Sequence, residues 1–374
     1  MSIQTPAGTT PPAPPATPVS VPQDERGRWA MSWPGVRTVM SLDLRQRVRS
    51  SRWRLMLTLF FLTIGALSVL VMAVSGFDDE SGGFLYGAVV GVVLSLGLLV
   101  APALTSTSVN GDRAAGTLAP LQMTLLSPAE IAIGKLLAGW LTSLAFLGTA
   151  VPFLVLAMLP GGTSLARLLV TIVMMALMLL ILCAIALGWS AVSARSVTSA
   201  VMTYLTTAFL CLGTLFVFGL SYPLVTEYED VRVLQDPHFG PKHDWSKPIP
   251  RSDCVEVVAE RPVAHTEATW WLLAANPYVV VADAAPGGQD EDLFSVIKAG
   301  VRTAQAGPQE PIDECWSSRE FESDEGLVDD DYPGLPVWPF GLVINLGLGA
   351  LGVVAAVRRL TIPVRRLPRG TRIA

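Results

Sequence analysis

Residues 164–193 read SLARLLVTIVMMALMLLILCAIALGWSAVS, and this stretch decides the class of fold. It carries one charged side chain, Arg167, close to its start. Because an α-helix rises about 1.5 Å per residue, about 20 apolar residues cross the roughly 30 Å hydrocarbon core of a bilayer. The stretch therefore predicts a membrane span, and we expect Arg167 to reach back to the interface.

Five further apolar blocks have the same character, and no Asp, Glu or Lys interrupts any block at mid-depth. Of the 374 residues 51% are hydrophobic and 15% are charged, whereas roughly a quarter of a soluble protein is charged. Buried helices of a large soluble enzyme would not need blocks of this length. We expect an all-α polytopic membrane protein with six transmembrane helices. The blocks are roughly 55–76, 84–108, 131–159, 164–193, 197–221 and 337–357.

Basic residues at the ends of the blocks predict the orientation, because cytoplasmic flanks carry an excess of Lys and Arg. The first connection holds Asp78, Asp79 and Glu80 and no basic residue, whereas the second holds Arg113 and Lys135. We therefore expect both termini in the cytoplasm and the connection between helices 5 and 6 outside. The flanking arginines are Arg45, Arg47, Arg49, Arg52 and Arg54 before the first block, and Arg358, Arg359, Arg365, Arg366, Arg369 and Arg372 after the last.

The long connection at 222–336 is predicted to form an extracellular acidic domain. Between positions 222 and 335 it holds 23 of the 31 acidic residues and 8 of the 26 basic ones, so its formal charge is −15 and that of the remaining chain is +10. Within it, residues 268–284 are apolar but too short to span a bilayer. They predict a re-entrant or interfacial helical element or, alternatively, a core segment of a small extracellular domain.

The two ends of the chain differ in character. Residues 1–33 are rich in Pro and are expected to be a disordered cytoplasmic leader. Residues 34–54 predict an amphipathic basic helix on the inner membrane surface or, alternatively, a cytoplasmic extension of the first span. Helices 1–5 follow within 55–221, helix 6 occupies 337–357, and 358–374 form a basic cytoplasmic tail.

Two of the four cysteines fall in the connection at 222–336, which we call the insert. If the insert is extracellular, Cys254 and Cys315 lie in an oxidising compartment, and a bridge between them would close about 60 residues and stabilise the fold by about 4 kcal/mol. We expect this disulfide. Cys183 and Cys211 lie within the apolar blocks, where they fill space.

Several kinds of site have no signature in the sequence. We find no phosphate-binding glycine loop, no HExxH or GxSxG motif and no cysteine pair at zinc spacing. Ion-coupled carriers usually place acidic or histidine residues within their spans, and here such residues are missing at mid-depth. The sequence therefore predicts a non-catalytic chain without metal, cofactor or nucleic acid, whose energy source lies on another subunit.

Residues 110–130 join the second and third blocks, and we call them the elbow. Ser127 followed by Pro128 and Glu130 predicts a helix start with a capping box. Asp112 can cap an earlier helix start, and Thr117 after Gly116 offers a second cap.

An apolar edge is predicted within the elbow at Leu118, Leu121 and Leu125. We expect this edge to dock in a groove on another protein.

The sequence around the elbow resembles a known family. LVAPALTSTSVNGDRAAGTLAPLQMTLLSPAEIAIGKLLAGW (99–140) is similar to permease subunits of ATP-binding-cassette (ABC) exporters of the type-2 class, with Ala114 and Leu125 departing from the usual acidic residue and proline. The resemblance covers roughly residues 35–221 and 268–360. The matching residues are Ala101–Leu104, Asp112, Arg113, Gly116, Thr117, Leu118, Thr124, Leu126, Ser127, Glu130, Ile131, Gly134 and Lys135.

This resemblance implies a multi-pass permease subunit in the cell membrane. It would work with a second permease, as a homodimer or heterodimer, and with a separately encoded cytoplasmic ATPase that binds and hydrolyses the ATP. The residues expected to couple the two are Asp112, Arg113, Gly116, Thr117, Leu118, Leu121, Thr124, Ser127 and Glu130.

Two other functions stay open at this point. One is a secondary carrier or channel without an ATPase, and the other is a structural or sensory membrane protein that acts through its outer domain. The sequence leaves the substrate and the direction of transport undetermined.

Overall fold

The structure is a computed structural model. It describes residues 27–75, 82–118, 126–159, 163–235, 254–287, 292–315 and 334–361. The expected leader at 1–33 and the basic tail at 358–374 lie largely outside these residues.

Six helices are long and apolar enough to cross a membrane, which confirms the predicted number and the predominantly helical class. We call them spans 1 to 6. The elbow end of the bundle is the end at which the elbow joins spans 2 and 3. The insert end is the end at which the insert follows span 5. The span bounds are Trp53–Val74, Gly83–Ala114, Pro128–Met158, Leu165–Val192, Ser196–Leu224 and Trp338–Leu360.

Span 4 is the most buried of the six, and spans 1 and 5 are among the least. Span 4 packs closely on span 6: a Cβ atom added to Gly188 of span 4 would lie 2.5 Å from Cα of Gly352 in span 6. Small residues at such a crossing let two backbones approach and gain van der Waals contact. The bundle is therefore organised around span 4.

A separate helix, Trp33–Arg49, precedes span 1, and we call it the leader helix. It ends at Ser50, whose backbone is extended, and the next helix begins at Ser51. Val36 and Val39 are each 3% exposed. One face of the leader helix thus packs on protein, specifically on span 3.

Span 5 contains a π-helical turn at Phe209–Gly213 between the α-helices Ser196–Ala208 and Thr214–Ser221. Such turns insert a residue into the helical ladder and are frequent at functional sites. The amide Nδ2 of Asn276, in the insert, donates to the Cys211 carbonyl oxygen at 2.8 Å and to Thr214 Oγ1 at 3.1 Å. A side chain from the insert therefore satisfies the irregular backbone of span 5.

The segment predicted as a helical element at 268–284 contains a 3₁₀ turn at Thr266–Ala268 and two short helices, Trp271–Ala274 and Pro277–Ala284. Val280 and Val281 are at most 1% exposed and belong to the same core cluster as the spans. The segment packs among the spans rather than inside a separate domain.

The insert also contains β-structure, which the all-α prediction missed. Strands β1 (Thr226–Gln235) and β2 (Val255–Ala264) pair antiparallel, and β3 (Ile312–Asp313) adds to β1 in parallel. Val231 and Val233 are buried on one face while Tyr228 is exposed. The alternation of apolar and polar residues is typical of a half-buried strand and is the local signal that could have predicted β1.

A disulfide joins Cys254 and Cys315, as predicted, and links the start of β2 to the residues after β3. Replacing both cysteines with serine should lower the stability of the insert by about 4 kcal/mol, because the open chain gains the entropy of a loop of about 60 residues. Proteolysis of the insert should accelerate while the helical circular dichroism of the spans is retained. Cys211→Ala is the control, and equal acceleration in that variant would contradict the assignment.

Arg167, near the start of span 4, has a partner that sequence reasoning missed. It is 5% exposed and forms a buried ion pair with Asp292, which is fully buried. Its guanidinium also lies 5.5 Å from the ring centroid of Tyr86. The sequence did not reveal this pair because the partner is 125 residues away, in the insert.

Asp292 also begins the helix Leu293–Ala306, whose Phe294 amide donates to its side chain at 3.2 Å. A second carboxylate, Asp283, accepts from the Val337 and Trp338 amides at 2.6 and 2.8 Å and from Arg302 Nε at 2.6 Å. Anionic groups are stabilised at helix N-termini. The two aspartates thus tie the insert to spans 4 and 6.

His265 should make the junction of β2 with the following 3₁₀ turn sensitive to pH. Its Nδ1 lies 2.8 Å from Glu267 Oε1 and its Nε2 lies 3.2 Å from Glu229 Oε1. Because only the imidazolium donates from both nitrogens, the hydrogen bonds to Glu267 and Glu229 raise the His265 pKa above its ordinary 6.5. The contact is therefore fully present below pH 6.5 and is lost as the pH rises through the raised pKa.

The measurement is an NMR titration of the three histidines, which should place the His265 pKa above that of an unstructured histidine. Amide exchange at 264–269, corrected for base catalysis, should become faster above that pKa. This extra pH dependence should vanish in His265→Gln. An ordinary or lowered His265 pKa would contradict the prediction.

Candidate functional site: the elbow and the leader junction

The elbow begins with a short helix, Asn110–Ala114, that is fastened to span 3. The Asp112 carboxylate forms an ion pair with the Lys135 ammonium. The Lys135 side chain is 4% exposed and that of Asp112 is 30% exposed. Because a buried ammonium needs a counter-charge, the pair fixes the position of the short helix against span 3.

The far end of the elbow has the predicted capping box. The Glu130 amide donates to Ser127 Oγ at 3.1 Å, and Glu130 Oε2 accepts from the Ser127 amide at 2.8 Å. Pro128 occupies the first helical position. Local sequence therefore sets where span 3 starts.

Glu130 has a second role that sequence reasoning missed. Its Oε1 accepts from the backbone amide of Ser32 at 2.8 Å and from Ser32 Oγ at 2.6 Å. Ser32 is the N-cap of the leader helix. One carboxylate thus lies at the N-termini of two helices, where both helix dipoles stabilise negative charge.

Backbone contacts extend this junction along the leader. Ser127 Oγ donates to the Ala30 carbonyl, and the Ala129 amide donates to the Arg28 carbonyl at 3.3 Å. A Cβ atom added to Gly35 would lie 2.7 Å from Glu130 Cδ, so this close approach requires glycine. Ser32 before Trp33-Pro34 was a visible helix-start signal, but nothing local indicated its partner.

Of the predicted apolar edge, the structure describes only Leu118. Leu118 is 2% exposed and packs in the core cluster of the spans, so this residue is not free to dock on another protein. Leu121 and Thr124, together with Leu125, lie outside the described residues. Among the elbow residues that the structure describes, the exposed ones are Ala114, Ala115, Gly116 and Thr117.

The exposed part of the elbow is a tight turn. Gly116 has a φ of +71°, which favours glycine. The Thr117 amide donates to the Asp112 carbonyl at 3.0 Å, and its hydroxyl donates to the same carbonyl at 3.3 Å. Arg113 is partly exposed beside this turn. The structure therefore gathers Asp112, Ser127 and Glu130 into fastening contacts and leaves 114–117 on the surface.

Beneath the elbow is a buried polar cluster. The Val109 and Asn110 amides approach Ser190 Oγ at 3.0 and 3.3 Å, and Ser199 Oγ donates to the Ser106 carbonyl at 2.6 Å. These bonds link the elbow end of span 2 to spans 4 and 5. Hydrogen bonds and the Asp112–Lys135 ion pair thus connect the elbow region to spans 2, 3, 4 and 5.

No family model matches the chain, and no curated protein matches it in sequence.

Proposed function

We propose that the chain is the membrane-spanning permease subunit of an ABC transporter of the type-2 exporter class. In this proposal the elbow and both termini face the cytoplasm of a cell-membrane protein, and the insert faces outwards. A separately encoded ATPase binds the elbow and hydrolyses ATP, while this chain and a second permease form the translocation path. The chain itself is not an enzyme.

The proposal rests on the contacts that hold the elbow against the spans at both of its ends. Its exposed turn at 114–117 lies between the Asp112–Lys135 ion pair and the Glu130 junction. A partner pressing on this turn would move span 2, span 3 and the leader helix together. A connection without a partner would not need to be fastened at both ends.

The charge distribution supports an external energy source. Within the described spans, the acidic residues are Asp112 and Glu130, and both lie at the elbow end. A carrier that couples transport to protons or ions usually needs such groups at mid-depth. ATP hydrolysis on a partner supplies the energy instead.

The binding test uses charge on the exposed turn. Ala115→Arg should abolish co-purification of an ATPase from native membranes while leaving membrane insertion and thermal stability unchanged. Ala194→Arg is the matched control, because Ala194 is an exposed alanine in the connection between spans 4 and 5. Full co-purification with Ala115→Arg, or equal loss with Ala194→Arg, would refute the elbow as the docking site.

The orientation test uses a membrane-impermeant thiol reagent on intact cells. Val258→Cys, exposed on β2 in the insert, should be labelled, and Ala115→Cys should be labelled only after the cells are opened. The parent protein gives the background of the free cysteines Cys183 and Cys211. Labelling of Ala115→Cys from outside would invert the proposed topology.

A further inference from the structure

A chamber of about 620 Å³ lies between span 2, span 5 and the insert helices. Its walls include Leu98, Ala208, Leu212, Val279 and Ile297. The volume is within the range of small-molecule sites, roughly 300–1,000 Å³. We propose that this chamber holds the hydrocarbon chain of a lipid. That this lipid is the transported molecule rests on the proposed function.

The polar hydrogens of the chamber side chains are already donated within the protein, so a ligand that needs hydrogen-bond donors finds none free among the described lining residues. Asn276 donates to span 5 as described and accepts from the Tyr278 amide at 2.9 Å. Ser95 Oγ lies 2.7 Å from the Tyr278 hydroxyl and donates to the Gly91 carbonyl at 2.6 Å.

The two remaining hydroxyls are engaged in the same way. The Tyr204 hydroxyl donates to the Leu99 carbonyl at 3.1 Å, and Thr207 Oγ1 donates to the Thr203 carbonyl at 3.0 Å. The described lining residues include no Asp, Glu, Lys, Arg or His. A charged group would lose its hydration here without gaining a counter-charge, and most of the lining is apolar, so the chamber favours hydrocarbon.

The chamber wall is built for a fixed shape. Cys211 and Leu212, in the π-helical turn of span 5, line the chamber. Asn276, which is 2% exposed, holds that turn open through the Cys211 carbonyl. Freed backbone groups inside a membrane are tolerated only when protein groups satisfy them. The hydrogen bond from Asn276 therefore fixes the part of the wall that the π-helical turn contributes.

The rim explains how a chain would enter. Leu99, Leu212 and Leu215 are 54%, 58% and 48% exposed, and they face outwards from two helices suited to crossing a membrane. In a bilayer this rim contacts lipid tails, so an acyl chain can enter sideways without crossing water. Burying it in the chamber adds van der Waals contacts that a fluid bilayer does not supply as densely.

The test uses a palmitic acid analogue with a photoreactive group on its chain and, in a second arm, a phosphatidylcholine that carries the same chain. The full-length protein is studied in nanodiscs, and cross-linked peptides are mapped by mass spectrometry. We expect adducts at Leu98, Leu212 or Val279. Ala208→Trp, which fills the chamber, should reduce them at least tenfold, whereas Leu205→Trp should change them less than twofold. Leu205 is an exposed residue of span 5 outside the chamber lining.

Each outcome decides the inference. Chamber adducts that disappear in Ala208→Trp support it, and the arm that labels more strongly identifies a free fatty acid or a phospholipid as the source. Adducts spread evenly over the spans, or unaffected by Ala208→Trp, would show surface lipid only and overturn it. Spontaneous disulfide dimers of Leu212→Cys that block labelling would also overturn it, because a second copy would then cover the chamber.

This binding needs no ATPase, so its failure is separable from failure of the proposed function. If lipid binds but no ATPase is recovered with the parent protein, the permease assignment fails alone. If an ATPase is recovered but no lipid adduct forms in the chamber, only the lipid inference is refuted.

Discussion

Asp112→Asn should destabilise the protein by about 2–3 kcal/mol and should strongly reduce ATPase recovery. Breaking a fully buried ion pair by removing one partner costs about 3–5 kcal/mol, because the other charge loses its counter-ion. The cost here is expected to be lower since the Asp112 side chain keeps 30% of its surface exposed. The variant leaves the Lys135 ammonium, whose side chain is only 4% exposed, without its counter-charge.

The measurement is the thermal unfolding midpoint of the purified protein together with co-purification of the ATPase. Asp230→Asn, at an exposed aspartate of β1, is the matched control and should shift the midpoint little. Adding Lys135→Met to Asp112→Asn should recover most of the stability, because no unpaired charge is left, but should not restore ATPase recovery. An unchanged midpoint in Asp112→Asn would show that the ion pair does not hold the elbow.

Arg167→Met should destabilise the protein by about 3–5 kcal/mol. It leaves the fully buried carboxylate of Asp292 without its cation, and that carboxylate also starts the helix Leu293–Ala306. We expect this helix to detach from spans 2 and 4. Arg167→Lys should rescue only in part, because an ammonium lacks the planar geometry of the guanidinium.

Thermal unfolding and limited proteolysis of the insert provide the readouts. Arg232→Met is the control, because Arg232 pairs with Glu256 and Glu310 on the surface with 56% of its side chain exposed. Surface pairs contribute about 0–1 kcal/mol. The double variant Arg167→Met with Asp292→Leu should be closer to the parent than either single variant. If Arg167→Met cost no more than Arg232→Met, the buried pair would have no structural role.

The features that were predictable from sequence are those with a local physical cause. Six spans follow from the length of the apolar blocks, and the start of span 3 follows from Ser127, Pro128 and Glu130. The Cys254–Cys315 bridge follows from two cysteines in one predicted compartment. Each of these features can be predicted from the residue pattern alone, without knowing how the helices pack.

The missed features depend on distant partners. Ser32 meets Glu130 across 98 positions, and Arg167 meets Asp292 across 125. Leu118 had the right spacing for an exposed edge, but packing against the spans covers it. The strands of the insert were also missed, although β1 alternates apolar and polar residues. The sequence therefore located the start of span 3 at Ser127, but the predicted cap at Asp112 was wrong: Asp112 lies inside the helix Asn110–Ala114, which follows Val109 and has no side-chain cap.

Photo-crosslinking from position 115 in living cells tests the central claim most directly. A photoreactive amino acid replaces Ala115, and the same replacement at Val258 in the insert serves as control. The account predicts a covalent adduct between position 115 and a cytoplasmic nucleotide-binding ATPase, and no such adduct from position 258. Adducts from position 115 that contain only lipid or extracellular protein would contradict it.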